Sequence, residues 1–291
     1  MTDDRGRCAR LRRDWPLLAV SAVAVAVVVT PSFLRWQSQA LQSGTVISYS
    51  QAVDDASATR LTTMLSDAES YNAGLGANVA DNALSVDEVR RNAYEALLDA
   101  GPGGTMGRLV IPKIGVDLGI RHGTDDVSLG EGVGHVLGSS LPVGGPGTNA
   151  VLAGHSGLLQ ASMLTDLRKL VVGDSFTVSV AGRDMAYVVD DVEAVLPDDR
   201  EALQILPGHD YVTLVTCTPV NVNSHRLLVR GERVADPSAA AAVTSEALSV
   251  PRRSFPWWAV ELVVGTAAVV TVLSLTIEWA SRPRTRVGLR A

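Results

Sequence analysis

The sequence predicts a mainly β domain, a barrel or sandwich, behind a helical region and between two membrane-spanning helices. Three observations carry this. A long apolar segment lies near each end, arginines flank both, and short β-rich runs recur from Met106 to Val234 with turn residues between them. Hydrophobic residues are 46% of the 291 and charged residues 19%, so a packed core is expected besides the two segments.

Residues 1–36 read as a basic tail and a first membrane segment. Leu17 to Val29 carries no charge, and Trp15 and Trp36 bracket the apolar run. About 20 apolar residues match the ~30 Å hydrocarbon layer, and tryptophan favours its borders. Ser38-Gln39-Ala40 also forms a small-x-small pattern like a signal-peptide cleavage site, but the run is long for a signal peptide, so an uncleaved anchor is expected. Residues 257–279 read as a second segment, bracketed by Trp257 and Trp279. Arg5, Arg7, Arg10, Arg12 and Arg13 precede the first, and Arg282, Arg284, Arg286 and Arg290 lie in the tail 280–291. Positive flanks stay in the cytoplasm, which puts both termini there and the middle outside. The net charge is −6; residues 1–34 hold +2, 257–279 hold −2 and 280–291 hold +4, leaving −10 on the middle. So acidic an exterior argues against nucleic acid as a partner.

Residues 37–104 read as helical. Ala52–Ser70 is rich in Ala, Leu, Met and Glu, and Val86–Asp99 shows helical spacing with Ser85 and Glu88 as a capping box. Tyr71–Leu84 between them reads as loop, and Gly101-Pro-Gly-Gly104 ends the region. Residues 105–235 read as the β domain. Strands are expected at Arg108–Ile111, Val116–Ile120, Ala150–Ala153, Ser175–Val180, Met185–Val195, Tyr211–Val215 and Leu227–Val234, with one helix at Ala161–Leu170. Residues 236–256 read as a linker.

Cys217 stands out. Cys8 falls on the cytoplasmic side, so the exported domain holds one thiol with nothing to pair with. Cys217 ends one expected strand, Arg226 begins the next, and the connection between them is short. Antiparallel pairing then brings both to one rim, whereas Arg230 lies about 13 Å further along at ~3.3 Å per residue. A guanidinium favours thiolate over thiol and can hold an oxyanion. It cannot serve as proton donor, so acyl transfer also needs an acid and base. From the residues alone Cys217 could equally be a small buried strand-end residue, and Arg226 a surface ion-pair partner. Five histidines compete for the acid-base role: His122, His135, His155, His209 and His225. His155 sits in a Gly-flanked turn after a strand, while His225 points away from Arg226 if the strand has begun. Neither ligand pairs at metal spacing nor a Gly-rich phosphate loop is present, so no metal or other cofactor is expected.

Thr213-Leu-Val-Thr-Cys217-Thr-Pro resembles the TLxTC signature of sortases; Arg226, nine residues on, matches the sortase arginine, and Ala153-Gly-His155 the sortase histidine. The resemblance covers nearly the whole exterior domain and is nearest to class C, the pilin-polymerising sortases. Met106-Gly-Arg-Leu-Val-Ile-Pro112-Lys-Ile looks like the opening strand of that class, Gly132–Gly145 like its next block and His225–Gly231 like its final strand. The resemblance implies an eight-stranded β-barrel. It also implies a cysteine transpeptidase that cleaves an LPxTG-like signal of pilin or surface-protein substrates between Thr and Gly, then passes the acyl group to a lysine amine of another pilin subunit. Carried over, Cys217 is the nucleophile, His155 the general acid/base and Arg226 the substrate and oxyanion binder. Three places depart from the class. Its lid carries Asp-Pro-aromatic where this chain has Asp81-Asn-Ala83, Val220-Asn221 stands for Tyr-Gly, and Ser156 for an arginine. Asp81 is the lid candidate, able to pair with Arg226, though Ala83 cannot plug the site as a ring would. The alternatives are a housekeeping sortase serving a peptidoglycan amine and a non-catalytic membrane-tethered binding module.

Overall fold

The structure, a computed structural model, describes residues 4–84, 87–101, 103–157, 163–199, 201–247 and 255–281. It divides into two units, one of residues 1–37 and 254–291, the other of residues 38–253.

The first unit contains two helices. The long helix α1, Asp4–Asp54, holds from Ala19 onward a stretch long and apolar enough to cross a membrane. Helix α7, Trp257–Ser281, has a shorter apolar part, Trp257–Val272. Phe33 and Trp36 meet Trp258 at ring centroid distances of 5.2 and 5.8 Å, and the Ser32 hydroxyl donates to Glu261 Oε1 at 3.0 Å. The basic tail of 282–291 lies outside the described residues.

The second unit is built on eight strands: β1 Thr105–Ile111, β2 Val116–His122, β3 Val133–His135, β4 Thr148–Ala153, β5 Ser175–Val180, β6 Arg183–Val195, β7 Asp210–Thr218 and β8 His225–Arg233. They close into a barrel in the order β1-β2-β3-β4-β7-β8-β6-β5, with only β2–β3 and β4–β7 parallel. Closure leaves no open sheet edge. The interior is filled by alternate residues of each strand, including Leu109, Ile111, Leu152, Val178, Leu214 and Val229, all fully buried.

Seven strands fall where the sequence predicts them. The eighth, β3, has three residues around Gly134, too few for an alternating pattern to show. Several expectations are corrected. The run Ala52–Ser70 is split: α1 continues to Asp54, and a second helix, α2, spans Ala58–Ala73, capped by Ser57, which accepts from Arg60 N. The expected loop Tyr71–Leu84 contains a short helix, α3, Val79–Leu84. Ser85 and Val86 lie outside the described residues; helix α4, Glu88–Glu95, is capped instead by Asp87, whose Oδ1 accepts from Arg90 N at 2.8 Å. A six-residue helix, α5, Asp126–Glu131, precedes β3. Of the expected helix Ala161–Leu170, the described part is turn and a single 3₁₀ turn, Leu167–Lys169. The expected linker contains α6, Pro237–Ala247, packed against β5 and β6. Its alanines, which gave no apolar period, are strong helix formers.

Helices brace the barrel through named contacts. The Tyr49 hydroxyl of α1 donates to Met106 O and accepts from Ala181 N at 3.0 Å, and burial pushes its phenol up to about 12. Tyr94 of α4 reaches the fully buried His135 of β3, with Oη 2.8 Å from Nδ1. His135 Nε2 lies 2.8 Å from Ser140 O, so Nε2 carries the proton and Nδ1 accepts from Tyr94. Burial holds His135 down at about 4 against 6.5. The unfolded chain therefore takes up a proton near pH 6.5 that the folded chain refuses until about pH 4. Stability should fall as the pH drops through that window, by roughly 3 kcal/mol in full and about 2 kcal/mol by pH 5. Urea unfolding at pH 7 and pH 5 checks this. In His135→Gln the acid-side loss should shrink by that amount, and equal losses in both proteins would contradict the assignment.

Candidate active site

Three neighbouring strands end at one rim. β4 runs parallel to β7 from Thr148↔Asp210 to Ala153↔Val215, and Gly154 N donates to Val215 O at 2.9 Å. β7 and β8 are antiparallel, with Cys217 opposite Arg226. Facing residues project from the same side of a sheet. Val212, Leu214, Leu227 and Val229 fill the barrel, so Val215, Cys217, Arg226 and Leu228 belong to its outer face. Ala153, Val215 and Leu228 form one row across that face; Cys217 and Arg226 form the next. His155, two residues beyond Ala153, comes level with Cys217. The Ser156 hydroxyl fixes this height by donating to Cys217 O at 2.6 Å. His155, Cys217 and Arg226 are all half-buried.

The five histidines now separate. His122 has both ring nitrogens on carbonyl oxygens, those of Gly104 and Leu97; His135 is sealed in the core; His209 meets Glu232 and Tyr211; His225 meets Ser224. Among the described residues no hydrogen bond engages the His155 ring. His225 pairs with Thr218, one residue from Arg226, so it projects from the other face as expected.

The two arginines of β8 separate as well. Arg230 grips Asp190 through Nε and NH2, at 3.1 and 2.7 Å, and lies 4.5 Å from the Tyr211 ring centroid. Its cationic capacity is spent on the fold. Arg226 donates through NH1 to Asn223 O and His225 O, both at 3.2 Å. No carboxylate pairs with it among the described residues, so the rest of its fork is open to a ligand. These two bonds hold the guanidinium over the turn Pro219–Ser224, where Asn221 and Asn223 take positive φ of 67° and 60°, which asparagine tolerates. On its other side β6 supplies Val195 opposite Arg226 and Glu193 opposite Leu228. Burial, then repulsion from Asp191 and Asp199, raises the Glu193 carboxyl above the usual range.

Asp81 is exposed on α3 and makes no ion pair with Arg226 among the described residues. Its segment is stitched elsewhere: Asn82 Nδ2 donates to Gly138 O at 3.0 Å, Ile205 N donates to Ala77 O at 2.8 Å, and Asn72 exchanges two bonds with the Leu141 backbone. Ser156 is the residue whose contact to the site the sequence did not reveal. Its hydroxyl is one of many, and only the parallel β4–β7 pairing gives it a partner.

A thiol, an imidazole and a guanidinium on one rim, the last without a carboxylate partner among the described residues, suit acyl transfer through a covalent thioester. The sortase domain model matches residues 109–234, which include all three. Sortase C-1 of Actinomyces oris is 47% identical and superposes with a TM-score of 0.56, covering 60% of this chain and 99% of that one. The chain belongs to the sortase family. Sortase C1 of Streptococcus agalactiae is 39% identical with a TM-score of 0.61, over 66% of this chain and 98% of that one. Sortase A of Bacillus anthracis is 30% identical over 129 residues, 44% of this chain and 60% of that protein. The chain thus spans about three-fifths of that curated relative. The strands that carry Cys217 and Arg226 are neighbours, and β4, parallel to β7, leads into His155.

Proposed function

We propose that this sortase is a class C transpeptidase that joins pilin subunits. The reading rests on the alignment of His155, Cys217 and Arg226 at one rim, and the likeness to the two sortases C supports the class. The Cys217 thiolate attacks the Thr carbonyl carbon of an LPxTG-like signal. The carbonyl π pair moves to oxygen, and Arg226 holds that oxyanion. The oxyanion collapses, the Thr–Gly C–N bond breaks and His155 gives its proton to the departing Gly amine, leaving a thioester. A lysine amine of another pilin subunit attacks the thioester, His155 takes its proton, and the thiolate leaves. The row of Ala153, Val215 and Leu228 beside the catalytic row offers an apolar floor for the signal. Two membrane spans with both termini cytoplasmic complete the proposal, supported by the arginine flanks and by the aromatic contacts between α1 and α7.

The acceptor tests the class. The full-length protein in detergent is given an LPxTG peptide with equal amounts of a lysine-bearing pilin and a peptidoglycan-type stem peptide amine. Mass spectrometry should find the Thr carbonyl mainly on the pilin lysine. Transfer to the stem peptide alone would make it a housekeeping sortase, and no transfer with intact fold would favour a binding module.

A further inference from the structure

We infer that Ser156 is a positioning residue, whose hydroxyl extends the β4–β7 ladder by one rung past the end of β4 and so holds His155 beside Cys217. The inference rests on the roles proposed for Cys217 and His155.

In a parallel ladder, donors of one strand recur every second residue. Gly154 N on Val215 O is the last such bond. The next would be Ser156 N on Cys217 O. The chain has already left the strand, and the Ser156 side chain takes that acceptor instead, at 2.6 Å. Thr216 mirrors it from the opposite strand, donating its hydroxyl to Gly154 O at 2.7 Å. His155 therefore sits between two side-chain rungs that tie its neighbours to β7. The far side of the turn is held separately: Leu164 N donates to His155 O at 3.1 Å and Gly157 N to Thr165 Oγ1 at 3.0 Å. Gly157, at φ 76°, lets the turn close on the β7–β8 connection; a Cβ there would lie 2.6 Å from Val220 Cγ1. Among the described residues the Ser156 rung is the one side-chain bond joining this turn to the nucleophile residue itself. It accepts no role in proton transfer, since its hydroxyl hydrogen is committed to a backbone carbonyl. Its effect is on the distance and angle between imidazole and thiol, on which proton delivery to the leaving amine depends.

Steady-state kinetics on full-length Ser156→Ala, Ser156→Val and Ser156→Thr in detergent, with a fluorogenic LPxTG peptide, test this. Threonine keeps the hydroxyl, and valine has the same shape without it. Ser156→Ala and Ser156→Val should lose kcat by roughly 10- to 100-fold, the scale of a misplaced catalytic group. KM should stay near that of the parent, because the Ser156 hydroxyl is committed to the Cys217 carbonyl. Ser156→Thr should keep most of the activity, and iodoacetamide should label Cys217 equally in all three. Thermal melting establishes that each is folded; should Ser156→Ala not fold, the Thr and Val pair decides alone. A Ser156→Val enzyme as fast as Ser156→Thr, or a loss confined to KM, overturns the inference. Turnover that survives Cys217→Ala would instead overturn the reading of the site beneath it.

Discussion

Arg226→Lys should lower kcat/KM for an LPxTG peptide by roughly 100- to 1000-fold, the usual cost of removing an oxyanion donor. The charge survives the exchange; the geometry does not. Arg226 spends NH1 on Asn223 O and His225 O and keeps the rest of a planar fork for a ligand. A lysine ammonium has three donors on a flexible stem and cannot hold both carbonyls while presenting a fixed pair. Because Arg226 stands opposite Cys217, the loss should fall on the step at the thiol. Arg230→Lys provides the contrast. That residue is bound to Asp190 and lies over Tyr211, so its replacement should lower thermal stability and change kcat/KM far less. Equal kinetic losses from the two substitutions would mean that Arg226 acts through the fold rather than on the oxyanion.

Gly231→Ala should lower the melting temperature more than any substitution at the rim. Gly231 lies in β8 between Val189 of β6 and Val212 of β7. A Cβ there would sit 2.5 Å from Phe176 Cε1, 2.6 Å from Cζ and 3.1 Å from Tyr187 Cβ. The two rings are fully buried and stacked, with centroids 5.5 Å apart, inside a closed barrel. Neither can swing aside without breaking that stack. Overpacking of a tight core costs about 1–3 kcal/mol or more, and rigid rings place this site near ~3 kcal/mol. For a unit of this size that is roughly 6–12 °C. Calorimetry of the purified protein gives the value; an unchanged melt would mean that β8 shifts freely against Phe176, and the strand carrying Arg226 is less fixed than described.

The strands were legible where β-branched and aromatic residues crowd five or more positions, as in Ser175–Val180 and Tyr211–Val215. β3 was not, because it is three residues long with Gly134 at its centre and Gly132 before it, and its pairing is all that defines it. The meeting of Cys217 and Arg226 followed from local chemistry, a short Pro-Asn connection between two strands. The approach of the His155 turn to Cys217 did not. It depends on β4 lying parallel to β7, and the chain between them passes through β5, β6 and a long loop. No spacing rule encodes such a non-local pairing, so the histidine came from family likeness alone. The Ser156 rung is hidden for the same reason. Helix ends were misplaced where several capping residues compete, as Ser85 and Asp87 do. The segment carrying Asp81 matched a lid through its aspartate alone, and it also holds asparagines, Asn72 and Asn82, whose side chains bind it to Leu141 and Gly138. Those bonds set its position, and they are not visible in the order of residues.

Intact mass measurement of the full-length protein after brief exposure to an LPxTG peptide tests the central claim most directly. The protein should gain the mass of the peptide up to its threonine. Digestion should place the adduct on Cys217, hydroxylamine should remove it, and Cys217→Ala should show none. An adduct on another residue, or transfer that persists in Cys217→Ala, would contradict the assignment of Cys217 as the nucleophile.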